Sequence, residues 1–185
     1  GAVVQLGDDP KTTVIYKSKE HGYASWVYDP ATKKMHPPSF GRMFKNPWHL
    51  SLTGTPRGVY AAANNKLYQG QVDRKLGSVA WTEIDGDFPR PAEAIKYHYE
   101  YQPLLFDSKR DRLVQLKGDS ERVDVFARSL EEDAGWRQVK TTGDAAIGRE
   151  AVYIARHDTI LWLGDRLYAL DLSTNKAHQV DVDLP

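Results

Sequence analysis

The sequence predicts an all-β fold: a β-propeller whose four blades are each a four-stranded antiparallel sheet. Three observations predict it. Apolar runs rich in Val, Ile, Leu, Tyr and Trp recur along the 185 residues, each closed by a turn of Gly, Asp, Asn, Ser or Pro, and such runs are strand signals. The turns are short, as antiparallel hairpins require. The scheme also repeats. With the third strand of each unit as a ruler, Val27, Leu67, Val123 and Leu167 stand 40, 56 and 44 residues apart, against about 40 to 50 residues for a four-stranded propeller blade.

The final stretch, 136–184, is the clearest. Its runs AVYIA, TILWL, RLYAL and QVDV are separated by RHD, GD and STNK, which reads as a four-strand meander. Residues 3–38 give VVQL, TVIYK, SWVYD and a weak edge MHPP. Residues 48–85 give WHLSL, VYAAA, KLYQGQV and SVAWTEI, and residues 101–140 give YQPLLF, RLVQL, RVDVFA and WRQVK. Asp29 before PATKK and Asp171 before LSTNK share one design, an apolar strand ending in Asp that caps a tight turn. The long middle interval falls in connections, at 85–101 and in an extended loop at 117–122, where insertions cost little. All units together are expected to form a single domain over 1–185.

One segment is ambiguous. RPAEAIKYHY opens with Pro and Glu in helix-starting order, yet Ile95, Tyr97, Tyr99 and Tyr101 alternate with polar residues at the period of a strand. A loop that becomes a strand, with one helical turn at 91–94, fits both.

Composition bounds the function. Twenty-five basic residues balance 25 acidic ones, so no global field draws nucleic acid or anionic membrane. Cysteine is absent, which removes disulfides, thiolate metal sites and a cysteine nucleophile together. No apolar run approaches the roughly 18 residues of a membrane span. The first ten residues lack the basic start and apolar middle of a secretory signal. The chain opens inside an apolar run, which fits a processed or truncated precursor. The six histidines show no metal-ligand spacing, and no cofactor is expected. The turns DSKRD at 107–111 and GDDP at 7–10 read as hairpins, since a calcium loop needs more oxygens at alternating positions.

Two units resemble the kelch repeat. In AWTEIDGDFPRPAEA (80–94) and GWRQVKTTGDAAIGREA (135–151), a Trp strand is followed by a loop with Pro or Gly beside an Arg, and then by the next unit. The double glycine that closes the hairpin of kelch repeats is absent, its places taken by Leu163-Gly164, Leu116-Lys117-Gly118 and Ala63-Asn64. Kelch rings usually hold six to eight blades, so the resemblance implies a half-ring of a larger propeller or two copies completing a ring. Closure of four blades alone would be similar to hemopexin-like domains, whose repeats DAAI at 144–147 resembles. The terminal disulfide of those domains cannot form without cysteine.

Propeller ligands usually meet the face formed by the blade-to-blade connections. The connections 36–49, 85–101 and 141–150 contribute Arg42, Arg90 and Arg149, joined by Lys45, Trp48, His49, Lys96, Tyr97 and His98. Guanidinium forks and aromatic faces suit a carboxylate, a sulfate or a sugar. The same arginines also suit ties between blades through backbone carbonyls. The expected function is non-catalytic binding of a protein or carbohydrate ligand at this loop face, with a homodimer as a means of completing the ring. The alternative is a carbohydrate-active enzyme drawing on Asp85, Asp87, Glu93, Glu100, Asp144 and Glu150.

Overall fold

The structure is a computed structural model. It describes residues 2–5, 12–18, 22–29, 32–36, 39–40, 51–63, 66–73, 78–84, 103–118, 123–131, 134–146, 148 and 150–181. Among these residues the regular elements are strands and one short 3-10 turn, Ala155–His157, with no α-helix. The segment 91–99 lies outside the described residues.

The chain divides into two compact units, Gly1–Asp85 and Gly86–Pro185, each holding two antiparallel sheets. The first sheet runs in the order β1 (Ala2–Gln5), β2 (Thr12–Ser18), β3 (Gly22–Asp29) and β4 (Lys34–Met35), and β5 (Ser39–Phe40) also pairs with β3. The second is β6 (Ser51–Thr55), β7 (Gly58–Ala63), β8 (Lys66–Asp73) and β9 (Ser78–Ile84). In the second unit, β10 (Leu104–Asp107), β11 (Arg112–Gly118), β12 (Val123–Ser129) and β13 (Arg137–Val139) make the third sheet. The fourth is β14 (Glu150–Ile154), β15 (Thr159–Leu163), β16 (Leu167–Asp171) and β17 (Lys176–Gln179). Apart from β5, each strand pairs with its sequence neighbour in the sheet, so every sheet is built as a meander of local hairpins.

The turns explain the repeat. Asp111 (φ 47°) and Asp158 (φ 55°) each stand one residue before the second strand of their sheet, and Lys33 (φ 54°) and Asn175 (φ 55°) each stand one residue before the fourth. Asp and Asn tolerate this left-handed conformation because their short polar side chains bond locally. Asp171 caps its turn by accepting the Ser173 N–H at 2.7 Å and the Thr174 N–H at 3.2 Å. After the third strands the chain is tied back alike: Leu130 N–H donates to the Asp111 carbonyl at 3.1 Å and Leu172 N–H to the Asp158 carbonyl at 2.9 Å. The third and fourth sheets therefore share this tie between the two turns at one end.

Three boundaries differ from expectation. The last strand is Lys176–Gln179 rather than QVDV, because the turn ends at the left-handed Asn175 and Asp171 pairs at once with Lys176. Strand β6 reaches Thr55, past the predicted start of a turn, since Thr55 pairs with Gly58 across a tight loop. Strand β11 continues through Lys117 and Gly118, which pair with Asp124 and Val123, so part of the expected long loop is ladder.

Packing follows the alternation of side chains. In the second unit one core joins Leu105, Val114, Leu116 and Val125 of the third sheet to Ile160, Trp162, Tyr168 and Leu170 of the fourth. Trp162 and Tyr168 stack with centroids 5.7 Å apart, a geometry favoured by aromatic quadrupoles. The Trp162 indole donates to the Ala146 carbonyl at 2.7 Å, and Ala145 is buried in the same core. The connection before β14 is thus a strap over the fourth sheet. Thr142 forms a parallel bridge with Lys176, and Ala177 N–H donates to the Thr142 carbonyl at 2.8 Å, which covers the edge of β17 against stray pairing. In the first unit Leu52, Val59, Ala61, Tyr68 and Trp81 fill one face of the second sheet. A Cβ on Gly70 would stand 2.8 Å from the Trp81 ring, so glycine there lets the indole lie across β8.

Candidate functional site

The densest polar cluster in the described residues begins at Asp107, the last residue of β10. Its side chain is 1% exposed, and a buried carboxylate is tolerable only when its oxygens are satisfied. Oδ1 accepts the backbone N–H groups of Lys109 at 3.2 Å and Arg110 at 3.3 Å. Oδ2 accepts Arg110 Nη1 at 3.1 Å and Arg112 Nε at 2.8 Å. The turn is shaped around the carboxylate, and Arg110 is aimed by it.

Arg110 then reaches the neighbouring sheet. Its Nη1 donates to Asp158 Oδ1 at 2.8 Å and its Nη2 to Asp158 Oδ2 at 2.7 Å, while Nη2 also faces the Leu172 carbonyl at 3.3 Å. This is the bidentate fork that guanidinium and carboxylate prefer. Tyr153 OH donates to Asp158 Oδ1 at 3.1 Å.

The charge states are fixed. The hydrogen bond from Arg110, assisted by that from Tyr153 and opposed by burial, holds Asp158 down at about 2. Asp158 in turn raises the Arg110 guanidinium against the opposing pull of burial. Burial first, then the Asp107 charge, raises the Tyr153 phenol. All three shifts favour the charged Asp158–Arg110 pair and the neutral Tyr153 phenol. The chemistry of the cluster is that of a tie: Asp107 and Arg110 on the β10–β11 turn, Asp158 on the β14–β15 turn, and Leu172 on the β16–β17 turn are locked together.

The clamp sits at the sheet ends that carry first-to-second and third-to-fourth turns. The second-to-third turns lie at the opposite ends. Arg42, Lys45, Trp48, His49, Arg90, Lys96, Tyr97, His98 and Arg149 lie outside the described residues, as do Asp85, Asp87, Glu93 and Glu100. Asp144 and Glu150 are described, and both are exposed. At that end of the fourth sheet, Tyr168 OH donates to Asp165 Oδ1 at 2.9 Å and Arg166 Nη1 to Gln179 Oε1 at 2.7 Å. His157 and His178 are exposed, and among the described residues no group of three His, Asp or Glu could hold a metal ion.

Reading the turns by composition missed the clamp. DSKRD and RHD announce hairpins, and both place Asp directly before a second strand. The usable signal was their spacing: Arg110 and Asp158 are 48 residues apart, close to one repeat, and complementary charges one repeat apart are placed to tie neighbouring units.

A second feature is apolar. Alternation puts Val152, Leu161, Leu163 and Leu167 on the face of the fourth sheet opposite its core, and Val152 is 54% and Leu163 58% exposed.

The fold has a counterpart among solved structures. The crystal structure of a protein from Lactobacillus plantarum, a Northeast Structural Genomics Consortium target, matches with a TM-score of 0.51 at 11% sequence identity. The match covers 93% of this chain and 53% of that one, so this chain spans about half that protein's length. Such identity speaks to fold alone, here an all-β arrangement of antiparallel four-stranded sheets. No protein-family model and no curated protein matches the chain.

Proposed function

We propose that the chain is a non-catalytic binding module of the propeller type, its sheets serving as rigid blades that present connecting loops to a protein or glycan bearing a planar anion. The observation that carries this reading is the saturated clamp. The carboxylate and guanidinium groups of the Asp107 cluster are spent on holding two sheets together, and a scaffold fixed in that way suits loops that hold a ligand. The loop arginines Arg42, Arg90 and Arg149, with Lys45, Trp48, His49, Lys96, Tyr97 and His98, are the proposed contacts. A kelch-like repeat is the finer form of the proposal. It is supported by Trp81 within the fourth strand β9 and by Trp136 directly before the fourth strand β13.

The test is charge reversal of Arg42, Arg90 and Arg149, singly, with capture on a panel of acidic glycans and peptides and with thermal melting in parallel. Loss of capture at unchanged melting temperature is the expected result. Loss of melting stability without a ligand effect would make these arginines ties between blades and overturn the proposed site.

A further inference from the structure

We propose that the outer face of the fourth sheet is an interface for a second copy of this chain, and that it receives the first sheet of that copy. The four sheets act here as equivalent repeats of one plan. The hairpins align through their left-handed residues, Asp111 and Asp158. In that alignment Val152, Leu161, Leu163 and Leu167 occupy the places of Leu105, Val114, Leu116 and Val125. The third sheet buries those four residues against the fourth sheet. The fourth sheet carries the same aliphatic set on the same face, with Val152 and Leu163 more than half exposed. It has the side of a repeat that receives a neighbour, and in the described chain that side meets solvent.

The repeat also specifies what such a side receives. In the third-to-fourth contact the incoming face is aromatic and aliphatic, built on Trp162, Tyr168 and Leu170. The first sheet aligns with the fourth through their shared turn, in which Asp29 pairs with Lys34 after a left-handed Lys33, as Asp171 pairs with Lys176 after a left-handed Asn175. At the register positions of Ala151, Trp162, Tyr168 and Leu170 stand Val3, Val14, Trp26 and Tyr28. This is the incoming type of sequence. Each copy holds one receiving face and one such strand set, so two copies satisfy both reciprocally. The zero net charge of the chain sets no long-range repulsion against it.

The experiment is sedimentation and light scattering of the wild-type chain and of a Val152→Glu, Leu163→Glu variant, with circular dichroism to confirm that the sheets persist. Both positions face solvent in one copy, so the charges are compatible with the folded chain. The expected result is a dimer whose association weakens at least tenfold, in order of magnitude, when charge is buried in its interface. A wild type at single-chain mass, or a variant that dimerises as the wild type does, overturns the proposal. The orientation has its own readout, because the chain lacks cysteine. Under oxidation a lone Leu163→Cys chain stays uncrosslinked if the face meets the first sheet, and links to itself if two outer faces meet, which would overturn the assignment of the partner sheet. No ligand enters these measurements. A negative result therefore leaves the loop-face reading untouched, and failure of the loop-arginine test leaves this contact standing.

Discussion

Arg110 grips Asp158 with both arms of its guanidinium, at 2.8 Å and 2.7 Å, from a turn 48 residues away in sequence. The pair is aimed from behind by Asp107, so three side chains act as one rigid unit. Arg110→Lys keeps the charge and loses the fork, and is expected to cost about 1 to 2 kcal/mol. Arg110→Met also removes a partner from the buried Asp107 and is expected to cost more, about 2 to 4 kcal/mol. Urea midpoints of the two variants test the order. Equal losses would mean that the geometry of the fork contributes nothing.

Acid should loosen the same joint. Asp158 is held at about 2 in the folded chain, against an ordinary value of 3.8, so its folded value is depressed. A depressed carboxyl contributes stability that is fully present above the unfolded value and is lost as pH falls through the folded one. The window therefore runs from about pH 4 down to about pH 2, with a loss on the order of 1 to 2 kcal/mol. Asp171, lowered by its hydrogen bonds from Ser173, responds in the same direction. The Asp158→Asn variant separates the two, since it should be less stable than wild type at pH 6 and flatter through the window. A variant with the wild-type acid slope would remove Asp158 from the account.

Gln115 offers a gain rather than a loss. It is wholly buried on β11, between Leu104 and Phe126 in register, and neither its amide nitrogen nor its oxygen has a hydrogen-bond partner. An amide left so is destabilising by about 1 to 3 kcal/mol relative to an apolar group of its shape. Gln115→Met, close in volume and length, should raise the stability by about 1 kcal/mol. A fall in the melting temperature would show that the amide is needed where it stands.

The sheets were legible because hairpins are local: strand, turn and return strand lie within twenty residues, and the apolar runs and turn residues report both. Even the shared turn design of Asp29 and Asp171 was visible. What stayed hidden depends on contacts one repeat apart. Nothing in DSKRD distinguishes an arginine that hangs in solvent from one that crosses to Asp158, since a turn composition encodes its own bend and not its neighbour. Lys117 was hidden for a related reason: a lysine followed by glycine reads as loop, yet its backbone completes the ladder opposite Asp124. The nine proposed ligand residues lie in the long connections, where chain composition sets chemistry without setting place.

The strap before β14 is closely bound, as its glycines show. Gly143 has φ 95°, and a Cβ there would collide with the Ala177 carbonyl oxygen. Gly148 is held in the same way, since a Cβ there would collide with the Leu163 carbonyl oxygen. Both collisions are with backbone, which cannot turn aside as a side chain would. Gly143→Ala adds strain in a left-handed region to this clash, so it should cost about 2 to 4 kcal/mol and lift the strap from β17. Gly148→Ala meets only the clash and should cost somewhat less. Gly135, with open space around its Cβ position, provides the control: Gly135→Ala should change stability by no more than about 0.5 kcal/mol. Hydrogen exchange of the Ala177 amide, which donates to Thr142, reads the strap directly. Unaltered protection of that amide in Gly143→Ala would mean that the edge of β17 is shielded without it.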